Sequence, residues 1–358
     1  MTHFLEDILR QPVELQRTID YLQGAGRRRL AEAAAAIRNA RHVYLTGIGS
    51  SWHAALTAAP LFSLGGHPVY MQDASELLQF AAIPSDAVII VISRTGRSIE
   101  IVHLLAKARE CAAIVIGVTN SEDGPLAQQA QIPIVIGAKL DHGISVNTYS
   151  TLAAATGALA SASVGVFDDA LTTSLSRAVA AAARSLAGWQ EQIVESAWLL
   201  PGSVCYFLAR GSSLGSCHEV RLLWEEGVKS PATAMGTGSF RHGPQEMVTK
   251  GARFGMWIDG RSMRGQDLSV ARDLMRLGAS VMLIGQDLSK DAGDLVFHLP
   301  GVPPGWQFLI DVIPAQLVAE RLAGLSGVDC DTFRLCSYIV EDEWGLLHEK
   351  VGTPKQET

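Results

Sequence analysis

At 358 residues, 48% of them hydrophobic, the chain is too long for one ordinary hydrophobic core and predicts two domains of roughly 150 residues each. Its net charge of -7 comes without a basic block or a stripe of basic and aromatic residues, which argues against nucleic acid and anionic membranes as partners. We therefore expect a small soluble ligand.

Three features bear on the compartment of the protein. The stretch MTHFLEDILRQP has acidic residues where a signal peptide has a basic start, so export is not predicted. The uncharged run from Gly143 to Phe167 has the length of a membrane span, but Ser, Thr, Asn and Gly dilute it, and we expect a loop followed by a buried helix. Five cysteines without CxxC spacing cannot all pair, which predicts reduced thiols in a cytoplasmic protein: Cys111, Cys205, Cys217, Cys330 and Cys336.

The first half of the chain alternates short apolar runs with helical patterns. Helical segments at FLEDILRQPVELQRTIDYLQ and RRRLAEAAAAIRNA come first. The predicted strands that follow are HVYLTG, PVYMQ, AVIIVIS, AAIVIGVT and IPIVIG, with helices from about Trp52, Ser98 and Gly124. This alternation predicts a parallel sheet.

The second half repeats the pattern after a helical stretch from Leu171 to Leu200. Its predicted strands are VCYFLARG, ARFGMWIDG, ASVMLIG and DLVFHLP, with helices from about Ser216, Gln266 and Gln307. Both halves share a strand, a glycine, a serine pair and a helix, in LTGIGSSWHAALTA and LARGSSLGSCHEVRLL. We interpret the chain as an α/β protein with two tandem doubly wound parallel sheets, flavodoxin-like, Rossmann-type three-layer sandwiches that arose by internal duplication.

The breaks in this pattern give the domain boundaries. We predict amino-terminal helices over 1–40, a first domain over 41–165, linking helices over 166–200, a second domain over 201–345 and a tail over 346–358.

The segment VISRTGRSIEIVHLL is a candidate phosphate site. It leaves a strand through hydroxyl residues and a glycine and enters a helix, which offers hydroxyl donors, free backbone N–H groups and a favourable helix dipole. Arg94 or Arg97 can add charge, and the loop GIGSSWH opens at the same sheet edge. The alternative is that Ser98 only caps the helix and the rest is turn chemistry. The candidate side chains are Ser50, Ser51, Ser93, Arg94, Thr95 and Ser98.

Glu226 is the candidate base. In the helix GSCHEVRLLWEEGVK, Glu219 and Glu226 share a face with two leucines, whereas Glu225 follows Arg221 by four residues and predicts an exposed ion pair. Apolar neighbours raise the pKa of such a carboxyl and let it take a proton from a carbon next to a carbonyl. The alternative is a helix-end glutamate that faces solvent.

His242 is the candidate proton shuttle. In GSFRHGPQEM it stands directly before a Gly-Pro pair that stops any helix or strand, so we expect it in a fixed turn. Histidine is the side chain that titrates near neutral pH, as a shuttle requires. The alternative is an ordinary loop histidine.

Motifs for other chemistries are missing. No GxxxxGK[ST] occurs, and GIGSSW lacks the third glycine of a dinucleotide fingerprint, so nucleotide cofactors are not indicated. The ten histidines form neither HxxxH nor HExxH. We expect neither a metal nor a cofactor.

Several segments together resemble the sugar isomerase (SIS) domain family, in the paired arrangement of the isomerase half of glucosamine-6-phosphate synthase. IGSSWH and SRTGRS stand where that family reads C-G-T-S-Y-H and S-Q-S-G-E-T. RLLWEE and RHGP resemble its K-L-K-E and K-H-G-P, and DVIPAQLVAERLAGLSGVDCD resembles a later segment with V-P-L-Q-L-L-A. The resemblance covers nearly the whole chain and implies sugar-phosphate binding at the two loops, the isomerase base at Glu226 and the ring-opening histidine at His242.

The chain departs from that family at three places. Arg94 replaces a glutamine and Arg97 a glutamate, which makes the loop more basic. No glutaminase domain precedes the first SIS unit, so glutamine is not predicted as an ammonia donor. The segment FRLCSYIVE has serine or tyrosine where the family's tail carries a Schiff-base lysine, so an enzyme-bound imine is not predicted.

The resemblance implies a phosphosugar isomerase or amino-sugar-phosphate deaminase. Its substrate would be a hexose 6-phosphate or a 2-amino or N-substituted derivative, and its reaction a proton transfer between C1 and C2. It further implies a homodimer in which the histidine loop reaches the neighbouring subunit's active site. The alternative is a non-catalytic protein that binds and senses a sugar phosphate.

Overall fold

The computed structural model describes residues 1–194, 196–201, 203–342 and 345–346, and within them two parallel sheets of five strands each form the framework. The first sheet consists of β1 (His42–Thr46), β2 (Tyr70–Met71), β3 (Ala87–Ser93), β4 (Ile114–Thr119) and β5 (Ile132–Val135). The second sheet consists of β6 (Cys205–Ala209), β7 (Ala232–Gly236), β8 (Arg253–Trp257), β9 (Ser280–Gly285) and β10 (Leu295–His298).

Both sheets have the same strand order. The first runs β2-β1-β3-β4-β5, and the second runs β10-β9-β8-β6-β7, which is the same order viewed from the opposite edge. This is the order of flavodoxin-like doubly wound sheets, whose ligands bind at the carboxyl ends of the strands beside the point where the order reverses. The predicted fold class is confirmed.

Helices cover the faces of both sheets. They are α1 (His3–Gln23), α2 (Arg27–Asn39), α3 (Ser50–Leu64), α4 (Ala74–Phe80), α5 (Ile99–Glu110), α6 (Pro125–Gln129), α7 (Asn147–Ser163), α8 (Asp169–Val194), α9 (Ser213–Leu223), α10 (Thr237–Phe240), α11 (Arg264–Arg276) and α12 (Ile313–Leu325). Helix α9 continues into one π-helical turn (Trp224–Val228), and 3-10 turns cover Pro244–Met247 and Gln307–Leu309. Strand β3 is buried along its whole length, as in a parallel sheet with helices on both faces.

Helix α7 is the buried helix expected from the long uncharged run. Nearly all of its 17 residues are buried. Its hydroxyl side chains bond back to carbonyls of the preceding turn, as Thr156 does to Leu152 at 2.8 Å and Ser163 to Leu159 at 2.7 Å. These bonds give hydrogen-bond partners to the hydroxyl groups of this otherwise apolar helix, so that it can be buried. Among the described residues, no helix has both the length and the apolar character needed to cross a membrane.

Helices α3 and α9 cross closely and join the two halves of the chain. Gly215 makes this approach possible, because a Cβ atom at its position would lie 2.5 Å from the carbonyl oxygen of His53 and 2.4 Å from the Thr57 methyl group. The beginning of α9 therefore packs directly on the first domain.

Strand β7 is an element that the sequence pattern did not predict. The segment ATAMG is short, half-buried and made largely of small residues, and it pairs with β6 along one edge only. It has neither the alternation nor the β-branched run by which strands are identified. The other strands lie within the predicted domains 41–165 and 201–345, whose boundaries stay predictions, and the predicted tail beyond residue 346 lies outside the described residues.

Candidate functional site

A cavity of about 230 Å³ opens at the carboxyl ends of β1 and β3. The loops after these two strands, the end of α9 and the carboxyl-terminal segment 333–340 form its walls. Seven of the eight predicted site residues line it, namely Ser50, Ser51, Ser93, Arg94, Thr95, Ser98 and Glu226. His242 does not.

The loop after β3 presents its hydroxyl groups to this cavity. The backbone N–H of Gly96 donates to the Ser93 hydroxyl at 3.0 Å, and the N–H of Arg97 donates to the Thr95 hydroxyl at 3.2 Å. These bonds fix the turn and leave both hydroxyl protons free to be donated elsewhere. Ser98 stands at the N-cap position of α5, yet its side chain makes no capping hydrogen bond. The alternative in which Ser98 only caps the helix therefore does not describe this loop.

The loop after β1 brings a second helix start to the cavity. Ser50 and Ser51 are the first residues of α3, and the preceding N-cap residue, Gly49, has no side chain with which to cap the helix. The backbone N–H groups in the first turn of a helix lack intrahelical partners and carry a partial positive charge. The Ser50 hydroxyl bonds to the Glu219 carboxyl, which leaves the Ser51 hydroxyl for a ligand at this helix start. Two helix starts thus face one cavity, an arrangement suited to an anion.

The carboxyl-terminal segment closes the cavity, and Arg94 holds it there. The Arg94 guanidinium donates to the Tyr338 carbonyl at 2.6 Å and lies 3.8 Å from the centre of the Tyr338 ring. The N–H of Ile99 donates to the Val340 carbonyl at 3.1 Å. Arg97, the other predicted source of charge, is exposed outside the cavity and donates to the Asp123 carbonyl at 3.1 Å.

Glu226 lies on the π-helical turn that follows α9. Both Glu226 and Leu222, which share one face of this helix, line the cavity. Single π turns inside α-helices are frequent at functional sites. Burial raises the pKa of Glu226 to about 7, with a smaller rise from the Glu219 charge and an opposing effect of Arg94. The neighbouring Glu225 pairs with Arg221 as predicted. A glutamate that faces open solvent is therefore not what the structure shows at position 226.

A buried pair, His53 with Glu219, lies behind Glu226. The Nδ1 atom of His53 is 2.8 Å from Oε2 of Glu219, and both side chains are almost fully buried. Burial raises the pKa of Glu219 to about 8 and lowers the pKa of His53 to about 3, which favours a neutral acid that donates to a neutral imidazole. Sequence patterns gave only one sign of this pair, the position of Glu219 two turns before Glu226 on one helix face.

Glu100 is a further residue that the sequence analysis missed. It lies in the first turn of α5 and lines the cavity, and its Oε2 atom is buried and makes no hydrogen bond to any residue that the structure describes. A carboxylate oxygen in this position favours a ligand that can donate a hydrogen bond to it. Its only signal in the sequence was its place two residues after Ser98.

No lysine lines the cavity within the described part of the chain. Ser337 and Tyr338 do line it, and they lie in the segment where the resembled family carries its tail lysine. The cavity therefore offers carboxyl groups for acid–base chemistry, those of Glu100 and Glu226, and no amine for an imine.

His242 is exposed on a turn between α10 and the 3-10 turn Pro244–Met247. Its backbone N–H donates to the Ser239 carbonyl at 3.0 Å, which fixes the turn as expected. A single chain does not bring this histidine into the cavity that holds Glu226.

One group of metal-ligating side chains lies away from the cavity. His3, Glu6 and His142 are all exposed, and one ligand atom from each falls within 4.8 Å of the others. Because His142 is distant in sequence from the other two, motif spacing could not reveal this group. The His142 Nδ1 atom already lies 2.9 Å from the Asp7 carboxylate.

Comparison with known proteins identifies relatives of the chain. Residues 36–162 match the family model of the SIS domain. The glutamine–fructose-6-phosphate aminotransferase [isomerizing] of Aeropyrum pernix is 27% identical over 350 residues, which cover 92% of this chain and 55% of that protein. The Bacillus subtilis protein of the same name is 23% identical over 343 residues, which cover 92% of this chain and 56% of that protein. The chain thus spans about half the length of these curated relatives.

Solved structures share the fold over almost the whole chain. The C-terminal domain of the Francisella tularensis glucosamine-fructose-6-phosphate aminotransferase has a TM-score of 0.80 at 18% identity, and covers 92% of this chain and 97% of that one. A Thermotoga maritima glucosamine-6-phosphate deaminase has a TM-score of 0.78 at 21% identity, with coverages of 95% and 99%. An Escherichia coli tagatose-6-phosphate ketose/aldose isomerase has a TM-score of 0.79 at 21% identity, with coverages of 92% and 95%. Residues 36–162 thus match the SIS domain model, and the chain is homologous to the isomerase domain of the glutamine–fructose-6-phosphate aminotransferases.

Proposed function

We propose that the chain is a cytoplasmic phosphosugar isomerase or amino-sugar-phosphate deaminase that moves a proton between C1 and C2 of its substrate. The substrate is a hexose 6-phosphate or its 2-amino or N-substituted derivative. One observation carries the proposal: a carboxyl group with a pKa of about 7, that of Glu226, lines the same cavity as the free hydroxyl groups of two helix-starting loops. Homology to phosphosugar-converting proteins supports the substrate class.

The phosphate group of the substrate binds where α3 and α5 begin. The hydroxyl groups of Ser51, Ser93, Thr95 and Ser98 donate to its oxygens, and the two helix dipoles favour its negative charge. Arg94 lies at the mouth of this site, where its charge reaches both the phosphate and the carboxyl-terminal segment.

Glu226 carries the proton between the two carbons. In the open-chain aldose its carboxylate takes the proton from C2, the electrons of the C–H bond form the C1–C2 double bond of an enediol, and the C1 oxygen takes a proton from water. Glu226 then returns its proton to C1, and the C2 hydroxyl gives its proton to water as the C2 carbonyl forms, which yields the ketose. A base with a pKa near the working pH is half ionised there, which suits both the removal and the return of the proton.

Ring opening is assigned to His242 of a second subunit. The histidine is exposed on a fixed turn and lies outside the cavity of its own chain. A homodimer in which this turn reaches the neighbouring cavity would supply an imidazole that can donate and accept the protons of ring opening.

Deamination uses the same groups. With a 2-amino substrate, removal of the C2 proton gives an enolamine, and a proton added at C1 leaves an imine at C2. Water adds to that imine and ammonia leaves, so the ketose phosphate is the product. None of these steps needs an enzyme lysine.

A second candidate function is non-catalytic sugar-phosphate sensing. It is favoured by the contact between Arg94 and Tyr338, which ties the segment over the cavity to the ligand-binding loop. In a sensor, this contact would report ligand binding and Glu226 would be dispensable.

A turnover screen of hexose and hexosamine 6-phosphates separates the two functions. The enzyme converts at least one of them, and Glu226→Gln lowers that turnover by about 10²- to 10⁴-fold, as expected for loss of a general base. Glu225→Gln is the matched control, because this neighbour pairs with Arg221 and does not line the cavity. Binding without turnover across the panel would establish the sensor instead.

A further inference from the structure

A second, larger cavity of about 660 Å³ lies at the carboxyl ends of β6, β8 and β9 in the second domain. It has no lining residue in common with the cavity that holds Glu226. Strand β6 lies between β7 and β8, so the cavity stands where the strand order of the second sheet reverses. Ligands of doubly wound proteins bind at this place in the sheet.

The loop that enters this cavity has the backbone geometry of the loop at the first cavity. Gly49 after β1 has a φ of 56°, and Gly211 after β6 has a φ of 55°. A serine pair follows each glycine, and a helix of more than ten residues starts there, α3 in one case and α9 in the other. The two domains thus present the same glycine, serine pair and helix start at the same edge of the sheet.

Ser212 is an unpartnered donor directed into the second cavity. It is 9% exposed and lines the cavity, and its hydroxyl makes no hydrogen bond to any described residue. The next residue, Ser213, donates to the Asp311 carboxylate at 2.6 Å. Gly211 to Gly215 reads GSSLG, the GxSxG pattern of serine hydrolases. Ser213 occupies the nucleophile position of that pattern, but its hydroxyl donates to Asp311 and no histidine lines the cavity to act as its base. The cavity is therefore suited to binding a ligand and not to hydrolysing one.

An unpaired arginine makes the second cavity suited to an anion. Three arginines and two carboxylates, those of Asp259 and Asp287, line it. Arg210 pairs with Asp267 through Nε at 2.7 Å, and Arg264 donates to two backbone carbonyls of the loop after β9. Arg261 is exposed and makes no ion pair or hydrogen bond to any described residue.

We propose that the second cavity is a binding site for a small phosphorylated polyhydroxy compound. The phosphate group accepts hydrogen bonds from Ser212 and from the N–H groups at the start of α9, and it pairs with the Arg261 guanidinium. The carboxylates of Asp259 and Asp287 accept hydrogen bonds from hydroxyl groups of the ligand. This site is separate from the one that holds Glu226 and does not depend on the function proposed for it.

Two measurements test the site. Crystals of the wild-type protein soaked in tungstate, a tetrahedral oxyanion that scatters anomalously, are expected to show a peak beside Ser212 and Arg261. Isothermal titration calorimetry with fructose 6-phosphate is expected to give two binding events per chain. Arg261→Glu weakens one of them by about tenfold or more, the loss expected for one charge-assisted hydrogen bond. Arg272→Glu, on the exposed surface of α11 outside the cavity, leaves both unchanged.

A first-cavity variant, Thr95→Leu, separates this inference from the proposed function. If the wild type shows one event that Thr95→Leu removes and Arg261→Glu leaves intact, with no tungstate beside Ser212, the second site is refuted and the first stands. If Arg261→Glu removes the single event and Thr95→Leu does not, the second site stands and sugar-phosphate binding at the first is refuted. Absence of both tungstate and fructose 6-phosphate from the second cavity also overturns the inference.

Discussion

The Nδ1 atom of His53 on α3 lies 2.8 Å from Oε2 of Glu219 on α9, and this buried hydrogen bond joins the two halves of the protein. Helix α9 continues directly into the π-helical turn that carries Glu226. The pair therefore fixes the helix on which the candidate base stands, at the place where Gly215 lets the two helices meet.

The Glu219 carboxyl is expected to make stability fall as the pH rises. Its pKa in the folded protein is about 8, above its ordinary value of 4.5, so its contribution is fully present below about pH 4.5 and is lost as the pH rises towards 8. Glu219→Gln keeps a donor for His53 and should flatten the fall between pH 5 and 8. Urea unfolding midpoints of both proteins across this range measure the effect.

The contribution of His53 to stability changes with pH in the opposite direction. Its pKa in the folded protein is about 3, below the ordinary 6.5, so its contribution is present above pH 6.5 and is lost as the pH falls towards 3. A charged pair would hold the same single proton and give the same pH slope, so unfolding does not separate the two states. The ring-nitrogen NMR shifts of His53 do separate them, because only a charged pair holds an imidazolium. Imidazolium shifts at neutral pH would contradict the neutral pair.

Arg94 is expected to set the pH at which the enzyme becomes active. Because its positive charge lowers the pKa of Glu226, Arg94→Gln should move the acid limb of kcat/KM to higher pH. Arg97→Gln is the matched control, since Arg97 is exposed outside the cavity. Tyr338→Ala removes the ring that lies against Arg94 but keeps the backbone carbonyl and the Arg94 charge, and any shift in the pKa of Glu226 from lost burial would be downward. If the acid limb of the kcat/KM profile stays at the same pH in Arg94→Gln, the Arg94 charge does not act on Glu226.

The shared active site predicts complementation between inactive variants. Glu226→Gln and His242→Ala are each expected to be inactive, whereas co-expression should give heterodimers with one intact site out of two. Random pairing then restores about a quarter of wild-type activity, because half of the dimers are mixed. No recovery in mixed dimers, or full activity in a stable monomer, would contradict the placement of His242 in the neighbouring cavity.

The convergence of the loops could be predicted because it follows from sheet geometry. Ser50, Ser93 and Ser98 follow strands whose carboxyl ends meet at one edge, so the order of strands and helices places them together. The direction of Glu226 followed from its spacing on the helix face.

Contacts between distant segments could not be predicted in this way. His53 and Glu219 are 166 residues apart, and Arg94 and Tyr338 are 244 apart, so no local period links them. Strand β7 was missed because pairing with β6, and not its own residues, makes it a strand. The free oxygen of Glu100 depends on what surrounds it in three dimensions.

Solvent deuterium incorporation tests the central claim, that Glu226 moves a proton between C1 and C2, most directly. The substrate identified by turnover is incubated with enzyme in D₂O, and the C1 and C2 positions of recovered substrate and product are read by proton NMR. Incorporation is expected with the wild type and with Glu225→Gln, and its loss is expected with Glu226→Gln. Undiminished incorporation in Glu226→Gln would contradict the assignment of the base.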